Sequence, residues 1–222
     1  MKQNLKKNIS IPLLTAALSL AIFAIIALSI SDNQIHRFDD TLITWIQGME
    51  SPNMTRWMEL FTWIGSGLPV VAITLISMIV LYVFLGHRRE LLFLGCVIAG
   101  SAILNTLLKL VFQRARPTIH RIIEATGYSF PSGHSMAAFS LYGGLAFLIW
   151  KHVPTTVGRI AIIVVSAAFI LTIGMSRIYL GVHYPSDVVG GYFLSGCWLA
   201  TCIWFYQRYL ERISLLQSKP LT

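Results

Sequence analysis

Long apolar runs separated by short polar breaks dominate this chain. Six stretches carry no charged residue: 11–30, 68–85, 91–108, 135–150, 160–175 and 188–206. A helix needs roughly 20 residues, about 17–25, to cross the hydrocarbon of a bilayer. Four runs have that length, and the two that start at Ser135 and Ile160 must borrow neighbours to reach it. Backbone groups in lipid have to bond internally, so the runs read as helices. The pattern predicts an all-α fold, a six-helix transmembrane bundle forming a single domain over 1–222.

The first run follows the basic stretch MKQNLKKN, as a signal peptide would. Its apolar part is longer than the ~7–15 residues of a signal core, so it is expected to stay as an uncleaved helix. The long connection, 31–67, looks structured. Ser51-Pro52 is a helix start, a capping serine followed by proline in the first turn. Met54, Trp57, Met58, Phe61 and Ile64 then recur at helical spacing. Two readings stand, a helix packed on the bundle or an amphipathic helix in the outer interface, and Trp45, Trp57 and Trp63 favour the second. The expectation is an extracytoplasmic interfacial helical segment between spans 1 and 2, with a role in admitting lipid left open.

Composition agrees: 55% of the 222 residues are hydrophobic and only 12% charged, against about a quarter charged in soluble domains. The net charge of +8 matters through its placement. With the N-terminus in the cytoplasm, Lys2, Lys6, Lys7, Arg88, Arg89, Lys151, Arg159, Arg208, Arg212 and Lys219 fall inside. Arg37, Arg56, Lys109, Arg114, Arg116, Arg121 and Arg177 fall outside. The last five of these occupy just two places, the ends of spans three and five. Setting them apart leaves ten cations against two, which places both termini in the cytoplasm. Cys96, Cys197 and Cys202 lie within predicted spans without metal-site spacing and carry no functional signal.

Four of those five outer cations, all but Arg121, belong to polar islands that the topology gathers at one face. The first runs from Lys109 to Arg116-Pro117, the second is Pro131-Ser132-Gly133-His134, and the third is Ser176 to Asp187. Lys109, Arg116 and Arg177 are costly beside a low-dielectric bundle unless paired. Glu124 and Asp187 are the only carboxylates in these two connections. The missing partner is therefore an anion, and guanidinium forks with a lysine suit phosphate. Pro131, near the first helical position, leaves the next amides without intrahelical acceptors at the positive end of a helix dipole. Gly133 permits close approach there, and the Ser132 hydroxyl adds a donor.

His183 and His134 supply the chemistry. Asp187, just inside a helix started by Pro185, is placed to fold back on His183, fix its tautomer and free the other nitrogen as a nucleophile. His134, beside the cradle, is placed to protonate a leaving oxygen. Taken singly, each histidine is equally well a helix–helix hydrogen-bonding residue and Asp187 a helix N-terminal charge. Together they point to phosphoryl transfer with no metal and no cofactor, the cations standing in for a metal. Asn105, one turn before Lys109, reads as a bond to a neighbouring helix.

At these residues the sequence resembles the type 2 phosphatidic acid phosphatase superfamily. A lysine is followed by Arg-Pro (Lys109, Arg116, Pro117), then Pro-Ser-Gly-His (131–134), then Ser176-Arg177 with His183 and Asp187 at the spacing of the third signature. All three signatures are matched without a substitution. The six-span frame resembles the bacterial membrane branch, with its phosphatidylglycerophosphate and undecaprenyl pyrophosphate phosphatases. The resemblance implies an integral membrane lipid phosphatase with its motif-bearing core at about 91–206 and a phosphohistidine formed on His183. It implies Asp187 as partner, His134 as general acid, and Lys109, Arg116, Ser132, Gly133 and Arg177 as phosphate ligands. The expected partners are a lipid phosphate and the surrounding membrane lipids, with no nucleic acid and no obligate protein. The expected location is the cell membrane, with the active site at the extracytoplasmic face. Arg114, His120 and Arg121 lie outside the signatures and read either as contacts for an anionic headgroup or as solvated loop charges. A vanadate-dependent haloperoxidase has a similar pocket, but such relatives are typically soluble. A lipid transporter or flippase would place its charges near the bilayer midplane rather than at one rim.

Overall fold

The computed structural model describes residues 2–32, 35–84, 86, 88–118 and 120–217, with side chains from 11 onward except those of 84 and 217. Every regular element among them is helical: α1 (Lys2–Ser31), α2 (His36–Gln47), α3 (Pro52–Ile64), α4 (Gly67–Ile79), α5 (Arg88–Phe112), α6 (Gly133–Trp150), α7 (Thr156–Tyr179) and α8 (Pro185–Gln217). A π-helical turn at Val80–Phe84 extends α4.

Four helices, α1 from Ile11, α5, α7 and α8, are long and apolar enough to cross a membrane. The α3–α4 pair, bent by 54°, makes a fifth crossing if it counts as one span. Length and composition thus support four or five of the six predicted crossings. The two exceptions have physical reasons. The 68–85 run divides into a 13-residue α-helix and the π turn, with residue 85 outside the described residues. The 135–150 run forms α6, which is enclosed by α5, α7 and α8. Facing protein rather than lipid, α6 has small and polar residues such as Ser135, Ser140 and Gly144 in its buried face.

Burial is inverted relative to a water-soluble bundle. Leu14, Ile25, Leu92, Val111 and Val157 are exposed, while Ser19, Ser101, Ser135, Ser140 and Ser195 are buried. Lipid solvates the outer apolar faces, and small residues let the helices approach one another. At Gly100, for example, any Cβ would collide with the Trp198 ring, whose Nε1 donates to the Val97 carbonyl at 3.1 Å.

The connection between the first two predicted spans is α2 and α3, so its expected helical character holds. Ser51 Oγ caps α3 by accepting from the Met54 amide at 3.3 Å, with Pro52 in the first turn. Met58 and Ile46 pack into a cluster with Ile178, Tyr179, Leu180, Val182 and Val188. The Tyr179 hydroxyl lies 2.9 Å from Thr55 Oγ1 and accepts from the Ser51 amide at 3.3 Å. Of the five residues at helical spacing, Met58 is buried, Met54, Phe61 and Ile64 are half-buried, and Trp57 is exposed, as are Trp45 and Trp63. Packing on the bundle and outward aromatic rings therefore coexist on the same helices.

The described residues between α5 and α6, 113–118 and 120–132, have no helix of their own, yet they are pinned. Ser129 N donates to Arg114 O at 2.8 Å and Ile122 N to Leu180 O at 3.1 Å. Ser132 N donates to Asp187 O at 3.1 Å, which joins the starts of α6 and α8. Gly181, at φ +73°, is needed in the turn after α7, because a Cβ there would stand 1.9 Å from the His120 carbonyl oxygen.

Candidate active site

The end of α5, the start of α6, the end of α7 and the start of α8 meet at one end of the bundle, and the predicted residues meet with them. His134 lies within electrostatic reach of Arg177, His183, Lys109 and Arg116. Lys109 in turn feels Arg116, Asp187 and Arg177. Residues up to 78 positions apart in sequence share one site.

His183 sits in the turn between α7 and α8, almost fully buried. Its Nε2 is 3.1 Å from Arg116 Nη1. A guanidinium can only donate, so Nε2 accepts and the ring proton resides on Nδ1. Nδ1 faces two oxygens, Asp187 Oδ2 at 3.3 Å and Ser129 Oγ at 3.3 Å. The Ser129 hydroxyl spends its hydrogen on Asp187 Oδ2. Asp187 Oδ2 also accepts from the Tyr184 amide at 2.9 Å, the local bond that turns the carboxylate back over the start of α8. Asp187, expected beside this ring, and Ser129, which carries no mark in the sequence, thus both face Nδ1.

The imidazole is held neutral. Burial, the largest cause, pushes its pKa from 6.5 down to about 4; the Asp187 hydrogen bond and charge oppose this, while Arg177 and Arg116 reinforce it. An unfolded chain binds that proton near pH 6.5 and the folded one only near pH 4. Acid therefore favours unfolding between those values. The melting temperature is expected to be steady above about pH 6.5 and to fall toward pH 4. In thermal scans the share due to this ring should vanish in His183→Gln; superimposable pH profiles would contradict the assignment.

The cations are held differently from one another. Arg116 is clamped by backbone carbonyls, Nε to Gly127 O at 3.0 Å, Nη1 to Val182 O at 2.7 Å and Nη2 to Thr126 O at 2.9 Å. Burial is the main cause lowering its pKa. Lys109 Nζ donates to Tyr128 O at 3.0 Å. Arg177, in the last turn of α7, is 5% exposed; its Nη1 donates to Thr62 Oγ1 on α3, and its Nε has no acceptor among the described residues.

The start of α6 differs in detail from expectation. The helix begins at Gly133, so Ser132 rather than Pro131 sets its boundary. Ser132 Oγ is the N-cap, accepting from Ser135 N at 3.4 Å and from Ser135 Oγ at 2.9 Å, with its own hydrogen left to donate. The Gly133 and His134 amides have no intrahelical acceptor at that end of the dipole. What the bare Gly133 accommodates is Asn105, whose Oδ1 would be 3.0 Å from a Cβ. Asn105 Nδ2 donates to Pro131 O at 3.0 Å, tying α5 to the entry of α6. The His134 ring makes no hydrogen bond with another described residue, and Arg177, Lys109 and Arg116 stand around it.

Arg114 corrects the sequence reading. It neither faces outward toward a headgroup nor stands as a solvated loop charge. Nη1 donates to Asp187 Oδ1 at 2.6 Å and to Ser186 Oγ at 2.8 Å, and Nη2 to Asp39 Oδ2 at 2.8 Å. Asp39, on α2, is wholly buried. The inventory of carboxylates at this end therefore gains a member from the first connection. His120 is paired with Glu50 at 2.8 Å, both half-exposed, and Arg121 Nε donates to Pro117 O at 2.5 Å. Among the described residues no three His, Cys, Asp or Glu side chains are grouped as a metal site requires.

This arrangement gathers Lys109, Arg116 and Arg177 around a neutral, oriented imidazole. The sequence profile of the PAP2 superfamily matches residues 90–211. Phosphatidylglycerophosphatase B of Bacillus subtilis is 29% identical over 176 residues, covering 78% of this chain and 85% of that protein. Undecaprenyl-diphosphatase BcrC of Bacillus subtilis is 33% identical over 108 residues, 46% of this chain and 51% of that protein. The crystal structure of a transmembrane PAP2-type phosphatidylglycerolphosphate phosphatase from Bacillus subtilis matches with a TM-score of 0.73 at 26% identity, over 94% of this chain and 99% of that one. With its apolar helices, a profile spanning more than half its length and a fold shared almost throughout, this multi-pass membrane protein belongs to the PAP2 superfamily.

Proposed function

We propose that the protein hydrolyses the terminal phosphate of a lipid phosphate or pyrophosphate through a phosphohistidine on His183. One observation carries the reading: three cations lie around a neutral imidazole, and one of them, Arg177, has a buried donor with no acceptor among the described residues, while Asp187 is already engaged by Arg114, Ser129 and the Tyr184 amide. A phosphate supplies the acceptors that such a set lacks.

In this mechanism Lys109, Arg116, Arg177, Ser132 and the Gly133 amide hold the equatorial oxygens and offset charge as it spreads. His183 Nε2 attacks phosphorus in line, forming the N–P bond as the P–O bond to the lipid breaks. His134 gives its proton to the departing oxygen. Water then attacks the phosphohistidine, His134 takes back a proton, and inorganic phosphate leaves with the imidazole restored. Fixed cations do the work of a metal, so the reaction runs without one.

The membrane arrangement belongs to the same proposal. The chain is one domain with six crossings, α6 being the enclosed one, and both termini are cytoplasmic. The site faces the extracytoplasmic side, with α2 and α3 in that interface, where exposed Trp45, Trp57 and Trp63 suit a headgroup layer. The names of the relatives make phosphatidylglycerophosphate and undecaprenyl pyrophosphate the leading substrates.

The test is phosphate release by the purified protein in chelator, from these two lipids, phosphatidate and diacylglycerol pyrophosphate. Turnover of at least one is expected without added metal. Failure on all four, with halide oxidation by peroxide instead, would replace this reading by the haloperoxidase one.

A further inference from the structure

Behind the imidazole lies a chain of buried charge that the phosphoryl-transfer mechanism does not use. Arg114 is shared between two wholly buried carboxylates, Asp187 on α8 and Asp39 on α2, at 2.6 and 2.8 Å. Asp39 spends its other contacts on the start of α8: Oδ1 accepts from Ser186 N at 2.8 Å and Oδ2 from Ser186 Oγ at 2.7 Å. The Tyr184 ring covers the guanidinium, with its centroid 4.0 Å from Arg114 Cζ. Three charges withdrawn from water are expensive, and hydrocarbon of equal volume would often be as stable. A cluster of this cost, one bond from a catalytic side chain, calls for a function.

We propose that Asp39 and Arg114 are positioning residues for the reaction. Arg114 captures Oδ1 of Asp187 so that Oδ2 stays on the His183 ring, and Asp39 fixes Arg114 while balancing its charge. The inference rests on the phosphatase reading for its purpose, but its electrostatic content is separate. The trio carries a net charge of about −1, facing the cationic side of the cup. Without Arg114, Asp187 would keep Ser129 and the Tyr184 amide on Oδ2 and lose its only partner on Oδ1 among the described residues, freeing the carboxylate to turn. Without the Asp39 charge, Arg114 would be balanced by Asp187 alone and the trio would no longer carry a net negative charge behind the imidazole.

A tie that served packing alone would not care about the sign of the charge removed; a positioning relay does. Loss of the Asp39 negative charge disfavours protonated His183, so Asp39→Asn should shift the ring's titration to lower pH. Loss of the cation leaves two carboxylates, so Arg114→Gln should shift it to higher pH. Each shift should be about one pH unit for a unit charge at roughly 10 Å under an effective dielectric near 20. The remaining charged and titratable groups around the ring stay in place in both variants. They are Asp187 from α8, Arg116 from the 113–132 segment, Arg177 from α7 and His134 from α6, with Lys109 of α5 behind them.

The experiment is a ring-nitrogen NMR titration of ¹⁵N-histidine protein in lipid nanodiscs, the His183 signal assigned by its loss in His183→Gln. Phosphate release from dioctanoyl phosphatidylglycerophosphate is followed on the same samples. Opposite shifts, with kcat lowered about tenfold or more and KM little changed, are the expected result. Asp39→Asn keeps an acceptor for the Ser186 amide, and Arg114→Lys keeps the cation while losing the fork. Arg114→Lys should titrate like the wild type yet turn over more slowly, so the question is decided even if Arg114→Gln does not fold. Shifts of the same sign, or none in Asp39→Asn, overturn the proposal. A wild-type protein that releases no phosphate while the opposite shifts persist would remove the phosphatase reading and leave the charge coupling standing.

Discussion

Replacing His183 by alanine is expected to lower phosphate release by about 10⁴-fold or more while leaving the protein folded. The size follows from removing the nucleophile itself: the cations can still bind a phosphate, but nothing remains to take it from the lipid. The tolerance follows from the hydrogen bonds. Arg116 Nη1 loses Nε2 but keeps the Val182 carbonyl. Asp187 loses one weak contact at 3.3 Å and keeps Arg114, Ser129 and the Tyr184 amide. Asp187→Ala is the poorer probe, since it strips a partner from all three and leaves Arg114 with Asp39 alone. Phosphate release by His183→Ala within tenfold of wild type, with an unchanged melting temperature, would remove this residue as nucleophile.

Much of the site was legible because its residues come in local groups whose spacing is set by one helix end. Lys109 with Arg116, Ser132 with Gly133 and His134, and Arg177 with His183 and Asp187 each sit at a place where an apolar run stops or starts. Once odd helices end and even helices begin on one side, these groups have to meet. The capping serine at Ser51 and the carboxylate folding back from α8 were readable for the same reason.

What escaped the sequence reading lacks such a local mark. Asp39 and Asp40 are adjacent acids in one amphipathic helix, yet Asp39 is wholly buried and Asp40 exposed. Only the docking of α2 on α8, 147 residues away in sequence, distinguishes them. Ser129 and Thr62 are single hydroxyls, of a kind usually found on surfaces, that acquire a role through a neighbour from another helix. Arg114 has no local mark of its setting, because one of its two carboxylates, Asp39, comes from the first connection, 75 residues away in sequence. The helix count is the other shortfall. Gly65-Ser66-Gly67 marks the bend before α4, and the polar positions of α6 reflect enclosure by other helices, so apolar length alone describes neither element well.

Arg177→Met is expected to raise the melting temperature and to cut phosphate release by about 10²–10³-fold. The two effects have one origin. In the folded protein Arg177 is 5% exposed, its side-chain partner is the neutral Thr62 hydroxyl, and its Nε has no acceptor among the described residues. Burying a cation without a counter-ion destabilises the fold, and a thioether of similar reach removes that cost while filling the space. Thr62 is not stranded by the change, because its hydroxyl can turn to a carbonyl one turn back on α3. During phosphoryl transfer the same cation faces the charge that develops on the equatorial oxygens, where each preorganised donor contributes most. Stability and activity should therefore move in opposite directions at this position, whereas a residue placed only for packing would lose both. A Met variant that melts lower and works normally would mean that Arg177 is satisfied without a phosphate, and the unspent donor would no longer argue for one.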